Sequence, residues 1–247
     1  VKILFFVLLS YSLLFGQTVR LTSLEWPPYS GENLPQKGLS ILIAKKAFLA
    51  MGYTLEVDFF PWNRTIALAE ASKSYEGYMP EYYEKQLEEN CYFSDSIGES
   101  TLGLVESKQK PILWKNIQDL QQYKVGIVQG YVNTQEFDQM VKDGLVHVDA
   151  SISDLQNIKK VAYKRIDVAI IDKHVFEYFL SHEETATLYK DSLQFNTNPI
   201  QKKTLHICFQ KKEMGRNLSK IFNEGLQKID VEKISNDYFN KQKNIGD

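Results

Sequence analysis

The chain has 247 residues with 29 Lys and Arg against 31 Asp and Glu, a formal net charge of −2. Its 43% hydrophobic and 24% charged composition is that of a globular chain long enough for one large or two modest domains, which excludes an extended disordered polymer. Charges of both signs are scattered rather than blocked, so neither nucleic acid nor an anionic membrane surface is an expected partner.

At the N-terminus, Lys2 precedes the apolar run 3–9, a polar break at 10–12, and Leu13-Leu14-Phe15-Gly16. A basic start, a short apolar stretch and a small residue describe a secretory signal peptide over residues 1–16, cleaved near Gly16/Gln17. The stretch is shorter than the ~20 apolar residues of a membrane span. No cysteine follows it for lipid attachment, so the expected destination is the periplasm. Cys91 and Cys208 could then form a disulfide or remain two separate buried thiols. The four histidines show no metal-ligand spacing, and no metal or cofactor is expected.

Past the signal, residues 19–24 alternate as a strand, and Trp26-Pro27-Pro28-Tyr29 ends it, since two prolines bar helix and ladder alike. Apolar residues at 39, 42, 43, 47 and 50 have helical spacing, with Gly52 as terminator. Leu55, Val57 and Phe59 alternate as a second strand, Asn63 can cap a helix from Arg64 to Ser72, and 76–80 form a third strand. The alternation then restarts. Strands are expected at 102–105, 124–128, 145–148, 167–172 and 205–209, and helices at 116–121, from Asn133 to Met140 and from Ser153 to Tyr163. From about Arg216 the tail reads as helical. Strand–helix alternation predicts an α/β fold with parallel sheets, whose ligands sit at the carboxyl ends of strands.

Five stretches, in order, resemble family 3 solute-binding proteins, the periplasmic components of amino-acid-type ABC importers. Glu25-Trp26-Pro27-Pro28-Tyr29 is similar to that family's "PPY" turn, and Tyr92-Phe93-Ser94-Asp95-Ser96-Ile97 to its "FSDPY" segment. Residues 124–130 resemble "VGVVxG", residues 165–172 "GRxDAVIxD", and residues 205–211 "YGIAFRK". The resemblance covers residues 18–245. It implies a type II periplasmic-binding-protein fold, with lobe 1 from 18–105 plus 205–247, lobe 2 from 106–204, and hinge strands between them. It also implies capture of a small polar organic solute, amino-acid-like or amine/carboxylate, by a monomer that is no enzyme and works with an ABC permease. The alternatives are a soluble sensor that presents its solute to a membrane receptor, or a periplasmic dehydratase-type enzyme on the same scaffold.

One departure matters. Where amino-acid-binding relatives carry a "TxxR" arginine for the ligand carboxylate, this chain has Leu87 and Glu88. Arg64 in Pro61-Trp62-Asn63-Arg64 could replace it or be a surface arginine, and Trp62 could wall the cleft or fill lobe 1. Asp172 matches the family's ammonium-binding aspartate and could equally be a helix cap. Trp26 and Tyr29 are candidates to stack on ligand. Tyr78 and Glu81 lie near the same strand edge, where carboxylates among aromatics would suit a cationic group. Gly130, Tyr131 and Asn133 lead into a helix whose free N–H groups could hold an anion. No residue is assigned a catalytic role.

Overall fold

The computed structural model describes residues 17–243, so the signal-peptide expectation lies outside the described residues. In chain order the elements are β1 (Thr18–Ser23), α1 (Leu39–Ala50), β2 (Thr54–Phe59), α2 (Trp62–Ala71), β3 (Gly77–Tyr82), β4 (Cys91–Phe93) and β5 (Gly98–Ser107). There follow β6 (Lys124–Val128), α3 (Gln135–Lys142), β7 (His147–Ser151), α4 (Asp154–Ala162), β8 (Val168–Asp172), α5 (Lys173–His182), α6 (Glu184–Thr187) and β9 (Leu193–Phe195). β10 (Gln201–Gln210), α7 (Glu213–Leu226) and α8 (Val231–Lys243) complete the chain.

The main strand order is β2-β1-β3-β10-β5-β8-β6-β7. Two long strands carry the chain between the lobes. The start of β5 pairs antiparallel with the start of β10, Gly98 opposite Leu205 and Leu102 opposite Gln201. Beyond that shared segment they part. β10 continues along β3 and β4 into lobe 1, while β5 continues along β8 and β9 into lobe 2. The sheet is therefore continuous in hydrogen bonds yet serves two packed bodies.

Each body follows from its apolar pattern. In lobe 1 the parallel strands β1 and β2 bury Val19, Leu21, Leu55 and Val57 beneath α1. Phe48 of α1 meets Phe222 of α7 at 5.0 Å and Phe209 of β10 at 6.3 Å between ring centroids. In lobe 2 every residue of β8, which runs parallel to β6 and antiparallel to β5, is buried, as expected for a strand covered on both faces. Phe137, Ile158 and Val161 of the flanking helices pack over that sheet.

Several boundaries differ from the sequence expectations. α2 begins at Trp62 with Pro61 as its N-cap, so Asn63 lies within the first turn and caps nothing. Proline suits a helix entry because it has no N–H to satisfy and its φ is already set. α3 is capped by Thr134, whose hydroxyl accepts from the Phe137 N–H at 3.2 Å; Asn133 instead donates its side-chain amide to Asp138 Oδ1 at 3.0 Å. The tail is two helices. Asp230 accepts from the Lys233 N–H at 2.9 Å and starts a new helix after the break at 227–230. Cys91 and Cys208, on adjacent antiparallel strands, form a disulfide with Cα atoms 5.5 Å apart.

Candidate functional site

The carboxyl ends of strands from both lobes meet at one place, and the side chains there are polar and aromatic. β8 ends at Asp172, which is 2% exposed. Its Oδ1 accepts from the Val175 N–H at 2.9 Å, capping α5. Its Oδ2 accepts from Ser100 Oγ of β5 at 2.5 Å and lies 3.4 Å from the Tyr29 hydroxyl of lobe 1. Asp172 therefore caps a helix with one oxygen and turns the other to the Ser100 and Tyr29 hydroxyls. Ser100 shares a 2.7 Å hydrogen bond with the Tyr82 hydroxyl, completing a buried chain from β3 through β5 to β8.

Asp154 opens α4 in lobe 2, directly after the Ser153 cap. Its carboxyl is buried, with the Tyr131 hydroxyl at 3.5 Å and the Trp26 side chain as a further hydrogen-bond partner. Burial, with the nearby Asp172 charge, lifts it to about 7. Glu81 of β3 is buried in lobe 1, accepts from the Tyr82 N–H at 2.8 Å and is supported by the Tyr78 hydroxyl. Desolvation lifts it to about 8. Desolvation raises Asp172 as well, with the Ser100 hydrogen bond opposing it.

Aromatic rings wall the space between these groups. Trp26 stacks on Tyr29 at 4.6 Å and meets Tyr82 edge-on at 5.9 Å. Trp62 meets Tyr78 at 5.5 Å and, across the lobes, Tyr131 at 5.9 Å, both edge-on. The Trp62 indole also donates to the Gly130 carbonyl at 3.0 Å, joining the N-terminus of α2 to the turn after β6. Gly130 is required there twice over: its φ is +82°, and a Cβ would lie 2.2 Å from Asn63 Oδ1. A cavity of about 30 Å3 remains, bordered by Trp26, Trp62, Glu81, Tyr82 and Tyr131. That is room for a water or two.

Of the residues predicted from sequence, Trp26, Tyr29, Trp62, Tyr78, Glu81, Gly130, Tyr131 and Asp172 are thus brought together. Arg64 is not. It is exposed, with its guanidinium 5.0 Å over the Phe60 ring. α2 starts at Trp62, so Arg64 stands two positions further round the helix and cannot share the direction of Trp62. Asn133 is buried but turned to Asp138 in α3. Asp154 and Ser100 were missed. Asp154 stands beside a good N-cap, which accounts locally for an acidic residue, and Ser100 lies in a strand end with no clear alternation.

Among the described residues no group of His, Cys, Asp and Glu is placed to hold a metal ion, and no helix is long and apolar enough to cross a membrane. No family model and no curated protein matches the chain. Solved structures do. A histidine kinase sensor domain with similarity to periplasmic binding proteins superposes with a TM-score of 0.77 at 15% identity, over 90% of this chain and 95% of that one. An ancestral arginine-binding protein bound to arginine gives 0.73 at 19% identity, over 92% and 99%. An amino acid ABC transporter substrate-binding protein from Streptococcus pneumoniae bound to L-arginine gives 0.71 at 16%, over 90% and 94%. The chain therefore has the two-lobed fold of periplasmic binding proteins, each lobe a sheet flanked by helices and the two joined by hinge strands.

Proposed function

We propose that this chain is an exported, monomeric capture protein whose lobes close over a small polar organic solute and hold it without converting it. The observation that carries the reading is the chemistry of the seam between the lobes. Tyr29 of lobe 1 faces Asp172 of lobe 2, and Trp62 of lobe 1 donates to Gly130 of lobe 2. A seam made of a few polar and aromatic contacts around strand ends is one that can open, unlike a continuous apolar interface. The disulfide supports export to an oxidising compartment, the periplasm, in agreement with the signal-like segment at 1–16. The membrane partner on this reading is an ABC permease, the role of the substrate-binding neighbour. The likeness to a kinase sensor domain favours a second reading, in which the loaded protein docks on a membrane receptor.

A thermal-shift screen of amino acids, amines, small acids and sugars tests capture, with small-angle scattering to follow closure. A solute at 100 times its Kd should stabilise the closed form by about 2.7 kcal/mol and shrink the radius of gyration. If no small solute stabilises the protein or compacts it, the capture reading fails. Unchanged solute after prolonged incubation, followed by NMR, distinguishes holding from catalysis.

A further inference from the structure

Resting on the reading of the two lobes as a clamp that opens and closes, we propose that α8 is a latch on closure. Phe239 of this lobe 1 helix grips His174 of lobe 2 and sets how readily the lobes part, from outside the cleft.

The phase of α8 carries the argument. Val231, Ile234 and Tyr238 stand three and four positions apart, so they share one face of the helix. That face packs on the core, with α8 lying against α1. Tyr238 is buried there and donates its hydroxyl to the Pro28 carbonyl at 3.3 Å. Phe239, the next residue, points about 100° further round the helix and so reaches away from lobe 1. Its ring lies 5.0 Å from that of His174, centroid to centroid, with 32° between the planes.

His174 stands in the first turn of α5, two residues after the Asp172 cap. Tyr29 of lobe 1 meets the same imidazole edge-on at 6.4 Å. The start of this lobe 2 helix is therefore seated in a notch between the 26–30 turn and α8. Both walls of the notch belong to lobe 1, and the Tyr238–Pro28 bond ties one to the other. The contact of His174 with Glu177 at 3.3 Å lies within α5 itself, so it persists whether the lobes are together or apart. The contact with Phe239 is made only when they are together, and it adds to the closed side of the equilibrium alone. Neither ring borders the cavity, so the latch acts on closure without touching a solute. An aromatic pair of this kind is worth about a two- to tenfold shift in such an equilibrium.

The indole N–H of Trp62 reports on parting with no solute present. It is bonded to the Gly130 carbonyl across the seam, so its exchange with solvent deuterium requires the lobes to separate. NMR of the unliganded, isotope-labelled protein follows that proton beside the backbone amides of β1 and β6, each of which lies inside one lobe. Phe239→Ala should speed exchange of the indole proton about two- to tenfold and leave those amides at parental rates. His174→Ala, at a half-buried site on the other lobe, should do the same, and the double variant should be no faster than the faster single one. Parental exchange of the indole in both variants, or two effects that simply add, overturns the latch. So does an equal acceleration of the lobe amides, which would mark a general loss of stability. If the parent's indole proton exchanges no faster than those amides, the lobes do not part, and the clamp reading falls together with the latch.

Discussion

Replacing Asp172 by Asn separates the two roles of that side chain. The amide oxygen can still accept from the Val175 N–H, now at 2.9 Å from Oδ1, and Asn is as good a helix cap as Asp. The amide nitrogen would take the place of Oδ2 and can donate to Ser100 Oγ or the Tyr29 hydroxyl, since hydroxyls accept as readily as they donate. No buried group need be left unpaired. The variant also removes a carboxylate whose burial already disfavours its charged form. The unliganded protein should consequently stay within about 1 kcal/mol of the parent in stability, or exceed it. Ligand binding should behave differently. A charge-assisted hydrogen bond contributes about 1.5–3 kcal/mol and a neutral one about 0.5–1.5, so a cationic solute should lose roughly 1–1.5 kcal/mol, or about tenfold in Kd. Calorimetric titration of the tightest solute from the thermal-shift screen beside thermal melts of both proteins reads the two effects. Unchanged affinity together with a clear fall in stability would refute the reasoning, because it would make Asp172 a helix cap and nothing more.

Other perturbations follow from the same geometry. Trp62→Phe keeps the ring but removes the indole donor to Gly130, and should weaken closure by about 1 kcal/mol, seen as a several-fold faster release of solute in stopped-flow fluorescence; an unaltered off-rate would show that the bond does not hold the lobes together. Glu81 titrates at about 8 in the folded protein against an ordinary 4.5, so its contribution to stability is fully present below about pH 4.5 and is lost as pH rises through 8. Glu81→Gln should flatten that part of the pH–stability profile in chemical denaturation, and an identical slope in the variant would contradict the burial argument. Arg64→Ala should leave solute affinity within about twofold, because the side chain rests on Phe60; a large loss in titration would return it to the cleft. Cys91 and Cys208 are separated by 117 positions, and closing a loop of that size stabilises the fold by up to about 4.9 kcal/mol on the chain-entropy model. Denaturant unfolding with and without reductant should show a loss of at least about 2 kcal/mol, and coincident curves would deny the bridge a structural role.

The sequence disclosed the architecture better than the site because the two depend on different ranges of interaction. β8 was legible from an unbroken apolar run, and α1 from apolar spacing closed by Gly52. β10 was foreseen only from Leu205, since Gln201-Lys202-Lys203 reads as polar loop. Those residues are held in strand by pairing with β5 across the hinge, a partner about a hundred positions away. The site shows the same division. Trp26, Tyr29 and Asp172 were candidates from sequence because they stand at strand ends beside turns. Ser100 and Asp154 did not, because each has an adequate local explanation and acquires its second meaning only when β5, α4 and β8 are brought together. Arg64 misled through helix phase. A start at Trp62, set by Pro61, turns the arginine away from the direction that Trp62 takes.

The bridge between Cys91 and Cys208 has a topological consequence as well as an energetic one. The chain leaves lobe 1 just after Cys91 and returns to it just before Cys208, so almost all of lobe 2 lies within one covalent ring. Tension applied at residues 17 and 243 would run through lobe 1 and across the sulfur pair, and the ring would carry none of it. A protease that cuts a surface turn of lobe 2 would likewise open the ring without parting the molecule. The two pieces would stay shackled, and lobe 2 could be nicked without being shed.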